Sequence, residues 1–118
     1  MRNVIVTVAL ILACGCASPA EDGDAGSGWG KITELYVDAK VSVLRLDFSQ
    51  PVVNPAKCEG ADFYVLELDD SVASDRFLRT VVDAYLADRE VKFWIDGCSK
   101  SQWWGKTRPQ ILDIYIGR

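Results

Sequence analysis

The chain contains no histidine. This removes Ser-His and Cys-His nucleophile pairs, histidine zinc sites and the usual general base near neutral pH. Long apolar runs are also missing. The main one, residues 4–13 (VIVTVALILA), is about half of what a bilayer-spanning helix needs. No glycine-rich phosphate loop is present, because Gly26, Gly28 and Gly30 all precede the first expected strand. Positive charge is scarce as well. After residue 20 there are 17 acidic against 12 basic residues, so no basic field is available for nucleic acid. No metal-ligand cluster or cofactor motif is found.

What remains is 118 residues, 49% apolar and 25% charged, the composition of one ordinary globular domain. Its first twenty residues read as an export signal. Met1-Arg2-Asn3 carries one positive charge, residues 4–13 are apolar, and small residues follow through Ala20. Two processing sites compete. Ile11-Leu12-Ala13-Cys14 resembles a bacterial lipoprotein signal, with cleavage before a lipidated Cys14, whereas Ser18 and Ala20 suit ordinary cleavage after residue 20. Residues 21–28 (EDGDAGSG) are acidic and rich in Gly and Ser, the composition of a flexible tether. Such a tether would reach roughly 15 Å. The expected location is therefore the periplasm, with or without a lipid anchor, or the medium if the chain is secreted.

Residues 29–118 hold 14 acidic and 12 basic side chains, a balance of only −2. They also hold Cys58 and Cys98. In an oxidising compartment two cysteines most simply form one disulfide. The alternative, a free catalytic thiol, would have no histidine to activate it.

From Trp29 the chain reads as short strands. Residues 31–37 and 41–48 suit a hairpin turning at 38–40, and 63–68 form a third strand after a Pro-containing loop at 50–61. A helix follows at about 75–88, with Phe77, Val81 and Tyr85 beside Leu78, Val82 and Leu86 as its apolar stripe, and Ser71 or Ser74 as its cap. Beside that cap, Asp69 and Asp70 read as turn chemistry rather than as catalytic carboxylates. Strands at 90–96 and 110–116 complete the order β-β-β-α-β-β. The fold class expected is mainly β with one helix, an OB-fold-like five-stranded barrel; an α+β sandwich uses the same elements. Val41, Val43, Val65, Val91, Phe93, Ile95, Leu112 and Ile114 would point inward, with Leu44 and Leu46 competing for the inner face of the second strand.

Three motifs, Trp29-Gly30-Lys31-Ile32, Asn54-Pro55-Ala56-Lys57-Cys58 and Asp96-Gly97-Cys98, carry a resemblance. With the helix between them, the domain resembles a group of small exported bacterial proteins that includes the subtilase-cytotoxin B-subunit-like proteins. The resemblance implies an OB-like barrel and a Cys58–Cys98 disulfide. It also implies pentameric, glycan-binding relatives, although no glycan-contact residue of theirs can be matched to a position here.

The loop between the last two strands concentrates binding chemistry. Trp103 and Trp104 could stack on a sugar face while Gln102, Lys106 and Arg108 bind hydroxyls or an acidic substituent. One Trp inward and one outward is the simplest arrangement for neighbours in extended backbone. A second surface, Trp94 and Tyr115 with Tyr36, would suit a protein partner or self-association into a homo-oligomer. With no tuned acid–base pair in view, the expected function is a non-catalytic exported binding module for carbohydrate or envelope polymer. The alternative is a protein–protein module, an inhibitor or a subunit of an exported assembly.

Overall fold

The structure is a computed structural model that describes residues 23–40 and 42–118. The export segment, both processing sites, Cys14 and Val41 lie outside those residues. Within them, the elements are β1 (Asp24–Gly26), β2 (Ile32–Asp38), β3 (Val43–Phe48), β4 (Tyr64–Glu67), α1 (Val72–Leu86), β5 (Val91–Cys98) and β6 (Pro109–Ile116). They build one six-stranded, open, mixed sheet in the order β1-β5-β6-β4-β3-β2. All neighbours are antiparallel except β4 and β6. The class, mainly β with one helix, is as the sequence suggests; the sheet is open and has six strands, where an OB-fold-like five-stranded barrel was expected.

That extra strand comes from the segment read as a tether. Asp24, Ala25 and Gly26 pair with Asp96, Ile95 and Trp94. The Gly97 N–H donates to Gly23 O at 2.6 Å, and the Ser27 N–H to Phe93 O at 2.8 Å. Polarity hid the strand: it buries little side chain, and its stabilisation comes from backbone pairing and from the neighbouring buried Ser27, whose hydroxyl accepts from the Phe93 N–H. Gly30 and Val91 then exchange two hydrogen bonds, of 2.9 and 2.8 Å, which carry the chain past the start of β5 into β2.

The core departs from the expected alternation in two places. In β3 both faces are buried. Leu44 and Leu46 join Ile32, Tyr64, Val91, Phe93, Ile95 and Ile111 in the main core. Val43 and Val65, expected among those residues, instead pack with Phe63 in a second cluster. In β6 the pairing runs Phe93 with Ile114 and Trp94 with Asp113, then skips Leu112 to pair Ile95 with Ile111. One extra residue in a strand reverses the facing of everything beyond it. Ile111 is therefore buried, whereas Leu112, expected inward, is 53% exposed.

The helix begins earlier than periodicity suggested because Ser71 caps it, its Oγ accepting from the Ser74 N–H at 3.1 Å. Asp69 Oδ1 in turn accepts from the Ser71 N–H at 2.8 Å. Hydrogen bonds from the Ser71 side chain and backbone hold the Asp69 carboxyl below its ordinary range, so Asp69 does turn and cap work. Val81 and Ala84 are buried, and Phe77 and Leu78 pack against the main core. Tyr85 and Leu86 lie off this stripe and are exposed.

The 50–61 loop is fastened at two points. Tyr64, buried so that its phenol is pushed above its usual range, accepts from the Val53 N–H at 2.9 Å. Cys58 and Cys98 form a disulfide with Cα atoms 5.6 Å apart, which excludes the free-thiol alternative and suggests a non-reducing environment. Asn54 pre-forms the turn that presents Cys58, accepting its N–H and donating to its carbonyl at 2.8 and 3.0 Å. The crosslink spans 40 residues, worth about 4 kcal/mol in the chain-entropy account. A Cys58→Ser/Cys98→Ser variant is expected to lose stability on that scale in a denaturant melt. Two reactive thiols in the native protein would contradict the pairing.

Candidate functional site

The loop between β5 and β6 doubles back as a small hairpin. Trp103 and Lys106 pair across a two-residue turn, the Trp103 N–H donating to Lys106 O at 2.8 Å. Both turn residues have positive φ, +52° at Trp104 and +80° at Gly105. This is the pattern of turns that match strand twist, and glycine adopts it freely. A tryptophan does not. Left-handed backbone costs a residue with a Cβ about 1–2 kcal/mol, so interactions elsewhere must hold Trp104 in place.

Arg108 supplies them. Its side chain is only 4% exposed. Its Nε donates to the carbonyl of Trp103 at 3.0 Å and its Nη2 to that of Trp104 at 3.1 Å. The guanidinium lies 4.2 Å from the Phe63 ring centroid, and its Nη1 faces Asp62 Oδ2 at 3.5 Å. Two charge-assisted bonds, one ring face and one carboxylate offset the cost of burying the cation. Arg108 was expected to contact ligand. It is instead a buried strut whose Nε and Nη2 bond the turn, while Nη1 makes no hydrogen bond and only faces Asp62.

The glutamates fasten the rest of the hairpin. Glu67 accepts from the N–H groups of Lys100 and Ser101, at 2.6 and 3.1 Å, and from the indole N–H of Trp103 at 3.3 Å. Glu59 accepts from Gln102 Nε2 and the Thr107 N–H, at 3.3 and 3.2 Å. Trp103 is thus the inward ring, covering Val43, Phe63 and Val65. This second cluster lies on β3 and at the start of β4.

Trp104 is the outward ring, 47% exposed. It meets Tyr36 edge to face with centroids 5.3 Å apart at 76°, and Phe63 likewise at 5.3 Å and 82°. The Arg45 guanidinium lies 3.7 Å from the Phe63 centroid and 4.9 Å from that of Trp104. Tyr36 donates its hydroxyl to Asp38 Oδ2 at 2.9 Å, and that bond, with the carboxylate charge, raises its phenol above its ordinary range. Tyr36, Asp38, Val43, Trp103 and Trp104 line a shallow cleft of about 130 Å³. A larger hollow of about 400 Å³ runs from Asp38 to Leu78 past Asp69, Asp70 and Ser71. It is the less suited to a ligand, because Asp69 is already occupied with the helix cap.

The structure therefore unites Trp103, Trp104 and Tyr36, and leaves Gln102 and Lys106 exposed on the same hairpin. Tyr36 belongs with Trp104 and not with the other proposed surface. There, Trp94 is half-buried beneath β1, Gly26 lying against its ring, and Tyr115 keeps company with Lys92 and Trp29. Arg45, Phe63, Asp38 and the two glutamates were not singled out from sequence. Gly105 between Trp104 and Lys106 was the one local sign of a tight turn.

No protein-family model, curated protein or solved structure matches this chain. Among the described residues no group of three acidic or cysteine side chains is placed to hold a metal ion.

Gly60 offers a direct test of the strut, since a Cβ at that position would overlap Arg108 Nη1. Gly60→Ala is expected to cost about 1–3 kcal/mol by overpacking and to shift the tryptophan emission as the hairpin loosens. A variant with wild-type melting and emission would show that Arg108 does not carry the hairpin.

Proposed function

We propose that the chain is a non-catalytic, exported binding module whose Trp104–Tyr36 corner takes a carbohydrate or an envelope polymer. One observation carries the reading: a large, half-exposed indole is held at unfavourable positive φ by a buried arginine. Backbone strain of this kind persists where surrounding structure enforces it, and it concentrates at binding sites. A fixed ring with an exposed face suits the apolar side of a sugar, because no side-chain freedom is lost on contact. Gln102, Lys106, Asp38 and the Tyr36 hydroxyl stand beside it as polar partners.

The fold belongs to the same proposal. We read the sheet as an OB-like barrel whose first strand is interrupted, with β1 and β2 as its two parts. The order β5-β6-β4-β3-β2, the parallel β4–β6 contact and the Gly30–Val91 bridge support that reading. A scaffold shared with the subtilase-cytotoxin B-subunit-like group is proposed with it, and a shared scaffold carries no shared ligand. Export through the N-terminal segment, and lipidation at Cys14, are likewise proposed; the disulfide is consistent with both.

A second reading, an interaction module within an exported assembly, draws on a different feature, the exposed Leu112, Tyr115 and Ile116 of β6. The two readings separate by mutation. In a screen of glycans and peptidoglycan fragments, Trp104→Ala should weaken any binding about tenfold or more, a loss of ~1.4 kcal/mol. Tyr115→Ala should leave that binding unchanged. Full retention in Trp104→Ala would sink the carbohydrate reading.

A further inference from the structure

The outer face of β5 and β6 carries a group that the hairpin site does not use. Lys92 Nζ lies 5.1 Å from the Trp29 ring centroid and 4.7 Å from that of Tyr115. Both rings are 47% exposed. Lys92 and Tyr115 are directly paired across the two strands, and Leu112 is exposed on the same strand. Trp, Tyr and a long-stemmed lysine together form the side-chain set that settles at the boundary between bilayer and water. There the rings sit at headgroup level and the ammonium reaches outward.

Where the described chain begins adds a second argument. β1 pins residues 24–26 along β5, and Gly97 holds Gly23, so the free tether assumed from composition is shortened. Only eight residues lie between Cys14 and Gly23, a span of at most ~30 Å, and the apolar segment 4–13 lies immediately before Cys14. Anything that holds Cys14 at a membrane therefore holds the β1–β5 side of the sheet close to that membrane.

We infer that the outer face of β5 and β6, through Trp29, Lys92 and Tyr115, docks on a bilayer surface. The occupant is the headgroup and upper acyl layer of the membrane, with the indole and phenol entering it and Lys92 meeting phosphate. This surface is separate from the Trp104 corner, so its test does not depend on the carbohydrate reading.

The test uses the full chain as the cell processes it, reconstituted with vesicles of phosphatidylethanolamine and phosphatidylglycerol carrying brominated acyl chains, which quench nearby indoles. A Trp103→Phe/Trp104→Phe variant leaves Trp29 and Trp94 as reporters, and Trp29→Phe/Trp94→Phe leaves the hairpin pair. The expected result is loss of emission in the first variant and none in the second, with Lys92→Glu/Tyr115→Ser abolishing the quenching while circular dichroism stays native. Three results would overturn the inference: no quenching in either variant, quenching of the hairpin pair alone, or a chain that stays in solution with Trp29 and Tyr115 buried against a protein or a second copy.

Discussion

The hairpin depends on one buried guanidinium. Arg108 lies in the connection from β5 to β6, yet its side chain acts on residues four and five positions earlier, gripping the carbonyls of Trp104 and Trp103. Without those bonds, a tight turn with tryptophan at its first central position has little reason to form. With them, the turn is closed from beneath, and the indole of Trp104 is left with one side against Phe63 and Tyr36 and the rest toward solvent. Phe63 makes this possible because its ring meets both Arg108 and Arg45, at 4.2 and 3.7 Å. The burial of a cation, ordinarily a cost of several kcal/mol, is here offset by an aromatic face, two carbonyls and a carboxylate at 3.5 Å, with Nη1 left without a hydrogen bond.

The same strut ties the site to the fold. Gly60 leaves room for the guanidinium, and it lies two residues beyond Cys58, whose disulfide fixes this part of the 50–61 loop to the end of β5. The Gly60 N–H donates to Thr107 O at 3.0 Å, and Glu59 and Thr107 exchange two further bonds. Disulfide, loop and hairpin thus form one unit on the outer face of β3 and β4. The main core, on the other side of those strands, is built from Leu44, Leu46, Tyr64, Phe93 and their neighbours, with Val52 and Val53 of the same loop packed against it.

Much of this was legible in the sequence, and the failures share a cause. The five longer strands and the helix announced themselves by β-branched and aromatic runs between turn residues and by an apolar stripe. The inward-and-outward split of Trp103 and Trp104 was expected from extended backbone, whereas it arises in a tight turn with Trp104 at positive φ. What sequence could not carry was anything set by pairing rather than by side-chain type. The skipped Leu112 is a register event, invisible without its partner strand. β1 is polar and held by backbone bonds. β3 buries both faces, so alternation could not say which of Val43 or Leu44 faced the core. Arg108 misled for a related reason: an arginine beside two tryptophans in a loop looks solvent-facing until Phe63, distant in sequence, is brought beneath it.

Backbone hydrogen exchange, compared between the wild-type protein and Arg108→Met, tests the claim that this guanidinium holds the hairpin. Methionine keeps much of the side-chain bulk and none of the donors. If Arg108 is the strut, the paired amides of Trp103 and Lys106 lose protection in the variant, while those of Val91 and Phe93 in β5 exchange as slowly as before. Unchanged protection at Trp103 and Lys106 would contradict the account, because the turn would then be holding itself.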